Sequence, residues 1–393
     1  MSKLDFIDEE LRRLESAALL RRMRRAAPSR PALRDGTGPG RLNLDGREVV
    51  NFASNDYLGL STAPAVTAAA GSAAASRGGG GASSRLLSGN SDVHEELERR
   101  LSAFKSAEAA MVFPSGYQTN LSVISALAGD GDCVLLDRLN HASLVDGARL
   151  SGARVAVYRH ADPDDLERAL KIISRHRRRL IVTDALFSMD GDLAPLGDIA
   201  FLAEKYGAIL MIDEAHSTGI FGLRAAGAAE HFGVEDKIDV KMGTLSKALG
   251  AQGGFVCVSS PLREYLVNKA RGFIYTTALS PVVCAAAMAS LGIVEKNPGA
   301  GRALLERAAK LRAEIKRIGF DTGKSVSQII PVIVGDSARA VALSSLLFKK
   351  GFYAPAVRYP TVSKKSARLR ISVTIAHSDE DIARFVEALK LCA

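Results

Sequence analysis

Between residues 3 and 25, Leu4, Ile7, Leu11, Leu14, Ala18 and Met23 recur at helical intervals among charged residues, which predicts an amphipathic helix. Pro28 and Pro31 follow and stop it, because proline lacks the amide hydrogen that a helix interior needs. REVVNF at 47–52 predicts a short strand leading into the loop SNDYLGL. From there to about residue 285, short apolar runs alternate with helix-like stretches. The runs are AAMVF (109–113), CVLLD (133–137), ARVAVY (153–158), RLIVTDAL (179–186), AILMID (208–213), VKMGTL (240–245) and GFVCVS (254–259). Seven such runs interleaved with helices predict an α/β fold whose mostly parallel sheet is wrapped by helices. Beyond 285 come a helix through Val294, another over Ala303 to Ile318, and strands near QIIPVIV and ARLRISVT around a further helix. The organisation expected is an N-terminal helix and arm (1–45), a large domain (46–285) and a smaller C-terminal α+β domain (286–393).

Composition narrows the setting. At 393 residues the chain is too long for one small core. Four cysteines, Cys133, Cys257, Cys284 and Cys392, have no paired spacing, which argues against a disulfide framework and a zinc site and for a reducing cytosol. No run approaches the roughly 20 apolar residues of a membrane span, and MSKLDFIDEELRRL places acids where a signal peptide would be apolar. A cytoplasmic protein with no membrane partner is expected. The formal net charge of +9 comes largely from clusters such as Arg21 to Arg25 and His176 to Arg179. No aromatic interleaving or nucleic-acid signature accompanies them, so anionic small substrates, and not nucleic acid, are the expected partners.

In an open parallel sheet, ligands lie outside the carboxyl ends of the strands, and several strand ends here are polar. Asp213 ends AILMID, where a cationic partner such as a pyridinium nitrogen would offset its desolvation; the plainer alternative is an acid capping the next turn. A later strand ends in GTLSKALGAQGG. Lys247 there is placed to form a Schiff base with an aldehyde, Thr244 and Ser246 offer hydroxyls to a phosphate, and Gly250, Gly253 and Gly254 permit close backbone approach. By itself Lys247 could be a surface lysine; its position after Asp213 argues otherwise. Ser115 to Tyr117 open a predicted helix whose N-terminal N–H groups attract an anion, so Gly116 and Tyr117 would cup a phosphate, although a simply capped helix looks the same. His141 and His216 sit at two further strand ends, one suited to lie over a flat ring and one to hydrogen-bond it. The constellation points to pyridoxal 5'-phosphate. Gly78 to Gly81 lack the strand and spacing of a dinucleotide loop, and GFDTGKS (319–325) is one residue short of a nucleotide-phosphate loop; it reads as a turn.

These segments, with NFASNDYLGL, GASSRLLSGNSDVHEELE, DRLNHASL, FSMDGDLAPL, DEAHSTGIFG, YTTALSP and VRYPTVSKKSARLRISVTIAHS, span nearly the whole chain and resemble the α-oxoamine synthases. Those are fold-type-I pyridoxal-phosphate enzymes that condense an amino acid with an acyl thioester and lose carbon dioxide. SNDYLGL, GASSRLLSG and the R-x-P-T segment at 358–361 resemble the branch that joins L-alanine to a pimeloyl thioester on CoA or a carrier protein. Sister reactions using glycine or serine remain the alternative.

The resemblance implies that Lys247 is the Schiff-base lysine and catalytic base, Asp213 the pyridinium partner and His141 the stacking residue. It implies Ser188 and His216 at the ring hydroxyl, and Gly116, Tyr117, Thr244 and Ser246 at the phosphate. Thr276 and Thr277 are expected at the phosphate of the neighbouring subunit of a homodimer. Arg358 and Asn55 are expected to hold the amino-acid carboxylate with Thr361 nearby, and Arg21 to meet the acyl substrate. Two departures from the pattern are Asp184, where many relatives carry glutamate, and the glycine-rich GGGGASS run; neither is expected to touch the cofactor assignments.

Overall fold

The computed structural model describes residues 3–28 and 40–392, which form two compact units. The smaller comprises residues 1–59, 189–191 and 304–393, and the larger 60–188 and 192–303. The chain is thus divided at places other than residues 45 and 285. The N-terminal segment groups with the C-terminal residues, because β3 (Arg47–Asn51), which follows β1 (Ala26–Pro28) and β2 (Arg41–Leu44), pairs in parallel with a late strand, Phe352–Tyr353. The helix Pro281–Lys296 stays in the larger unit, where it packs on the helices Pro64–Arg77 and Asp92–Phe104.

The larger unit is built on β4 (Ala109–Phe113), β5 (Cys133–Asp137), β6 (Arg154–Tyr158), β7 (Arg179–Asp184), β8 (Ile209–Asp213), β9 (Val240–Thr244) and β10 (Gly254–Val258). All seven expected strands therefore form, in one sheet of order β4-β10-β9-β8-β7-β5-β6. β10 runs antiparallel to both neighbours and the other pairings are parallel. Side chains alternate across a sheet, and here the alternation feeds two cores. Cys133, Leu135, Ile181, Leu210 and Ile212 enter one with the helices Pro163–Ile172 and Leu196–Tyr206. Val134, Leu136, Leu180, Val182 and Met211 enter the other with Gly116–Leu127 and Ala142–Leu150. Burial on both faces is why the strands other than β6 read as apolar runs; edge strand β6 leaves Val155 and Val157 exposed. Of the glycine-rich departure only Gly81 has a packing reason: a Cβ there would lie 2.3 Å from the Ala278 carbonyl oxygen, whereas one on Gly79 or Gly80 would meet open space.

In the smaller unit β11 (Ile329–Gly335) pairs with β14 (Ala367–Ser372), which also pairs with β13 (Ala356–Val357); β12 is Phe352–Tyr353. The N-terminal helix is shorter than the periodicity implies and covers Asp5–Ser16, not 3–25. Ala18 adopts φ 54°, and the Leu19 and Leu20 amides close back onto the Leu14 carbonyl, so the chain leaves the helix before the last two apolar positions of the pattern. Pro28 lies in edge strand β1, and Pro31 lies outside the described residues. Among the described residues no helix is long and apolar enough to cross a membrane.

His160, just after β6, binds Asp137 at the end of β5 through Nδ1 (3.0 Å) and Asp192 through Nε2 (2.8 Å). Burial alone would lower its pKa, but the two carboxylates outweigh that and raise it to about 10. A raised pKa stabilises the fold fully below the ordinary histidine value, and the contribution is lost as pH rises through about 10. His160→Gln should therefore cost on the order of 2 kcal/mol near pH 6. Denaturant melts of both proteins should show the gap closing by pH 10.

Candidate active site

A cavity of about 190 Å³ opens at the carboxyl ends of β7, β8 and β9, where a parallel sheet leaves room between diverging connections. Asp213 ends β8 and is 5% exposed. Its Oδ1 accepts from the Ala215 N–H at 2.9 Å, and its Oδ2 from Asn120 Nδ2 at 2.8 Å. Both donors are neutral, so a buried carboxylate faces the cavity without a charge to balance it.

At the opposite pole, the helix Gly116–Leu127 begins against the cavity. Ser115 caps it, its hydroxyl accepting from the Gln118 N–H at 3.1 Å. The Gly116 and Tyr117 N–H groups are left for an anion, together with the positive end of the helix dipole. Gly254 makes this possible, since a Cβ there would meet Thr119 Oγ1 at 2.4 Å and Gly116 Cα at 2.7 Å. Thr244 and Ser246 flank this pole. The Thr244 hydroxyl donates to the Gly253 carbonyl at 2.7 Å and accepts from the Ser246 N–H at 3.2 Å, while the Ser246 hydroxyl lies 3.1 Å from the same carbonyl and accepts from the Gly253 N–H at 3.2 Å.

Lys247 lies between the poles, half-buried, with Nζ 2.8 Å from His216 Nε2. His141 lines the cavity from the end of the loop after β5. Desolvation on its inner side lowers its pKa, helped by Lys247 and opposed by Asp213 and Asp146. Tyr117 also lines it and donates from its hydroxyl to Asp146 at 2.7 Å.

The structure thus brings Gly116, Tyr117, His141, Asp213, His216, Thr244, Ser246 and Lys247 around one cavity. Ser188 is half-buried and does not line it, and neither do half-buried Thr276 and exposed Thr277. Asp184, in contrast, does line it, so this departure from the family pattern lies at the cavity itself. It stands opposite Asp213 in the β7–β8 register and accepts from the His141 N–H at 2.7 Å. Burial, reinforced by the Asp213 carboxylate, holds its pKa well above the usual range. Asn120 and Ser143 were also missed. They sit inside FPSGYQTN and DRLNHASL, and Asn120 follows Gly116 by one helical turn, the one signal that placed it near the site.

The other candidates belong to the smaller unit. Arg21 Nη2 donates to Thr361 Oγ1 at 3.3 Å, Thr361 N–H donates to the Arg358 carbonyl at 3.0 Å, and Arg358 donates to the Ala18 carbonyl. Burial, then Arg21, lowers the Arg358 pKa. Asn55 does not join them; it accepts from Arg370 at 3.1 Å and from the Tyr57 hydroxyl at 3.2 Å. Arg21 also lines a cavity of about 1130 Å³ with Leu11, Leu14, Leu20, Arg339 and Tyr359.

A family model for class I and II aminotransferases matches residues 47–389. An 8-amino-7-oxononanoate synthase of Thermoanaerobacter pseudethanolicus is 42% identical over 388 residues, covering 98% of this chain and 96% of the relative. The chain belongs to the 8-amino-7-oxononanoate synthase family. A solved member of that family, from Francisella tularensis, matches with TM-score 0.77 at 27% identity, over 87% of this chain and 97% of the other. A serine palmitoyltransferase of S. paucimobilis, solved with pyridoxal phosphate and myriocin bound, matches with TM-score 0.92 at 30% identity, over 99% and 97%. The fold is that of the fold-type-I pyridoxal-phosphate enzymes, and the chain is an enzyme that uses this cofactor. The cavity fits it: an anion pole at Gly116 and Tyr117, an amine at Lys247, and an unbalanced buried carboxylate at Asp213 match a flat cationic ring carrying an aldehyde and a phosphate.

Gly254→Ala should push the helix start away from β10. We expect pyridoxal phosphate to bind at least about tenfold more weakly, with a stability loss of about 1–3 kcal/mol. An absorbance titration and a denaturant melt check the two effects.

Proposed function

We propose that the chain condenses L-alanine with a pimeloyl thioester, on CoA or a carrier protein, giving 8-amino-7-oxononanoate, carbon dioxide and free thiol in biotin biosynthesis. The observation that carries the reading is Asp213, a buried carboxylate with neutral donors only, facing a cavity that also holds Lys247. The choice of substrates is supported by relatives 42–47% identical that bear the 8-amino-7-oxononanoate synthase name, against about 30–32% for the serine palmitoyltransferases.

Bound pyridoxal phosphate supplies an electron sink for the bonds at the α-carbon of its amino acid. Gly116, Tyr117, Ser246 and Thr244 hold its phosphate, and Asp213 keeps its ring nitrogen protonated. His141 lies against the ring, and His216 and Ser188 serve its hydroxyl. Lys247 would anchor the cofactor through its aldehyde, and its free Nζ would take the α-proton and later return one, with His216 Nε2 placed 2.8 Å away to tune its protonation. Arg358 and Asn55 bind the amino-acid carboxylate with Thr361 beside Arg358, and Arg21 meets the acyl group. In a homodimer, Thr276 and Thr277 reach the phosphate of the neighbouring subunit, which makes each site dependent on both copies.

The holoenzyme supplied with pimeloyl-CoA or the pimeloyl carrier should yield the amino ketone from L-alanine in preference to glycine or serine, as read by mass spectrometry. Lys247→Ala should lower the rate at least about a hundredfold. Preferential turnover of serine with a long-chain acyl-CoA would overturn the choice of substrates.

A further inference from the structure

The His141 ring is held from behind by two side chains that carry no role so far. Ser143 Oγ lies 2.8 Å from His141 Nδ1, and the Ser143 backbone N–H donates to the same nitrogen at 3.3 Å. Asn120 Nδ2 donates to Ser143 Oγ at 2.9 Å and to Asp213 Oδ2 at 2.8 Å. Asn120 and Ser143 are each 1% exposed, so water does not compete for these bonds. The directions follow from what each atom can do. The Asn120 amide presents its NH2 group to Asp213 Oδ2, and the second hydrogen of that group goes to Ser143 Oγ. A backbone N–H cannot reverse, so His141 Nδ1 must present its lone pair to Ser143. The Ser143 hydroxyl, already accepting from Asn120, then has its own hydrogen to give to Nδ1 as well.

We infer that Ser143 and Asn120 are positioning residues that hold His141 as a neutral ring with its proton on Nε2, and that they tie this state to the charge on Asp213. A ring held this way can donate one hydrogen bond from Nε2 to a substrate oxygen. It does not act as an imidazolium acid, and its orientation is set by the carboxylate that serves the cofactor ring. The inference rests on the proposed placement of His141 beside the cofactor. Asp146 on its own helix, Asp184 at the end of β7, Asp213 at the end of β8, and Lys247 and His216 in the loops beyond are the titratable groups around it. Desolvation, which lowers its pKa, agrees with a neutral ring.

The test uses the pyridoxal-phosphate-loaded protein labelled with ¹⁵N at its seven histidines, with His141→Gln to assign the signal. Near neutral pH the His141 pattern should be that of an unprotonated Nδ1 and a protonated Nε2. Ser143→Ala should move its titration midpoint upward, and Ser143→Thr, which keeps the hydroxyl, should restore it. Asn120→Leu should move it in the same direction and weaken pyridoxal phosphate binding at least about tenfold; should it fail to fold, the Ser143 pair decides alone. A wild-type Nδ1 that carries the proton would overturn the inference, as would a Ser143→Ala protein whose His141 signals coincide with wild type. Absence of the alanine product with the Nε2–H pattern intact would instead sink the proposed reaction and leave the relay standing.

Discussion

The site depends on keeping one carboxyl group, Asp213, buried at the end of a strand. A lone buried charge costs several kcal/mol, so its surroundings must either neutralise it or hold it for a cation that arrives later. Here the protein supplies two neutral donors, the Ala215 N–H and Asn120 Nδ2. They satisfy lone pairs without bringing a counter-charge, which leaves the group open to a cation entering the cavity. An arginine in place of Asn120 would satisfy the same oxygens and remove the reason for a pyridinium to bind.

The adjoining residue shows the opposite solution. Glu214 is 1% exposed and is fully paired: Lys105 Nζ meets it at 2.7 Å and also reaches Thr218 Oγ1 and the Ala226 carbonyl, while the Ala229 N–H donates to its other oxygen at 2.9 Å. Removing one partner from such a pair costs about 3–5 kcal/mol. That clamp ties the loop after β8 to the end of the helix Asp92–Phe104 and so fixes where Asp213 and His216 can be. Two successive acids therefore divide the work, one locking the loop and the other left open for chemistry.

The strands were legible because their physics is local. A strand buried on both faces must be apolar throughout, and CVLLD or AILMID can hardly be read otherwise. The place of Asp213 was legible for a related reason: a charge that ends an apolar strand is conspicuous, and Lys247 follows three residues after the end of β9. The helix boundary was not, since nothing in the apolar pattern marks Ala18 as the residue that turns left-handed. The place of Asp184 was not legible, because its neighbour across the sheet, Asp213, is separated from it by a whole helix in sequence, and only the parallel register sets the two acids side by side.

Asn120 and Ser143 mark the harder limit. Inside a helix, an asparagine or a serine reads as a residue bonding back to its own turn, and Ser122 and Ser125, on the helix that carries Asn120, do just that. What separates Asn120 from them is direction. It lies one turn beyond Gly116, so the helix that presents N–H groups to one end of the cavity also carries an amide to the other end. The length of that single turn links the anion pole to the carboxylate pole, and a shift of the helix would disturb both together. The close approach at Gly254, which lets the helix start sit against β10, therefore governs Asp213 as much as it governs the anion pole.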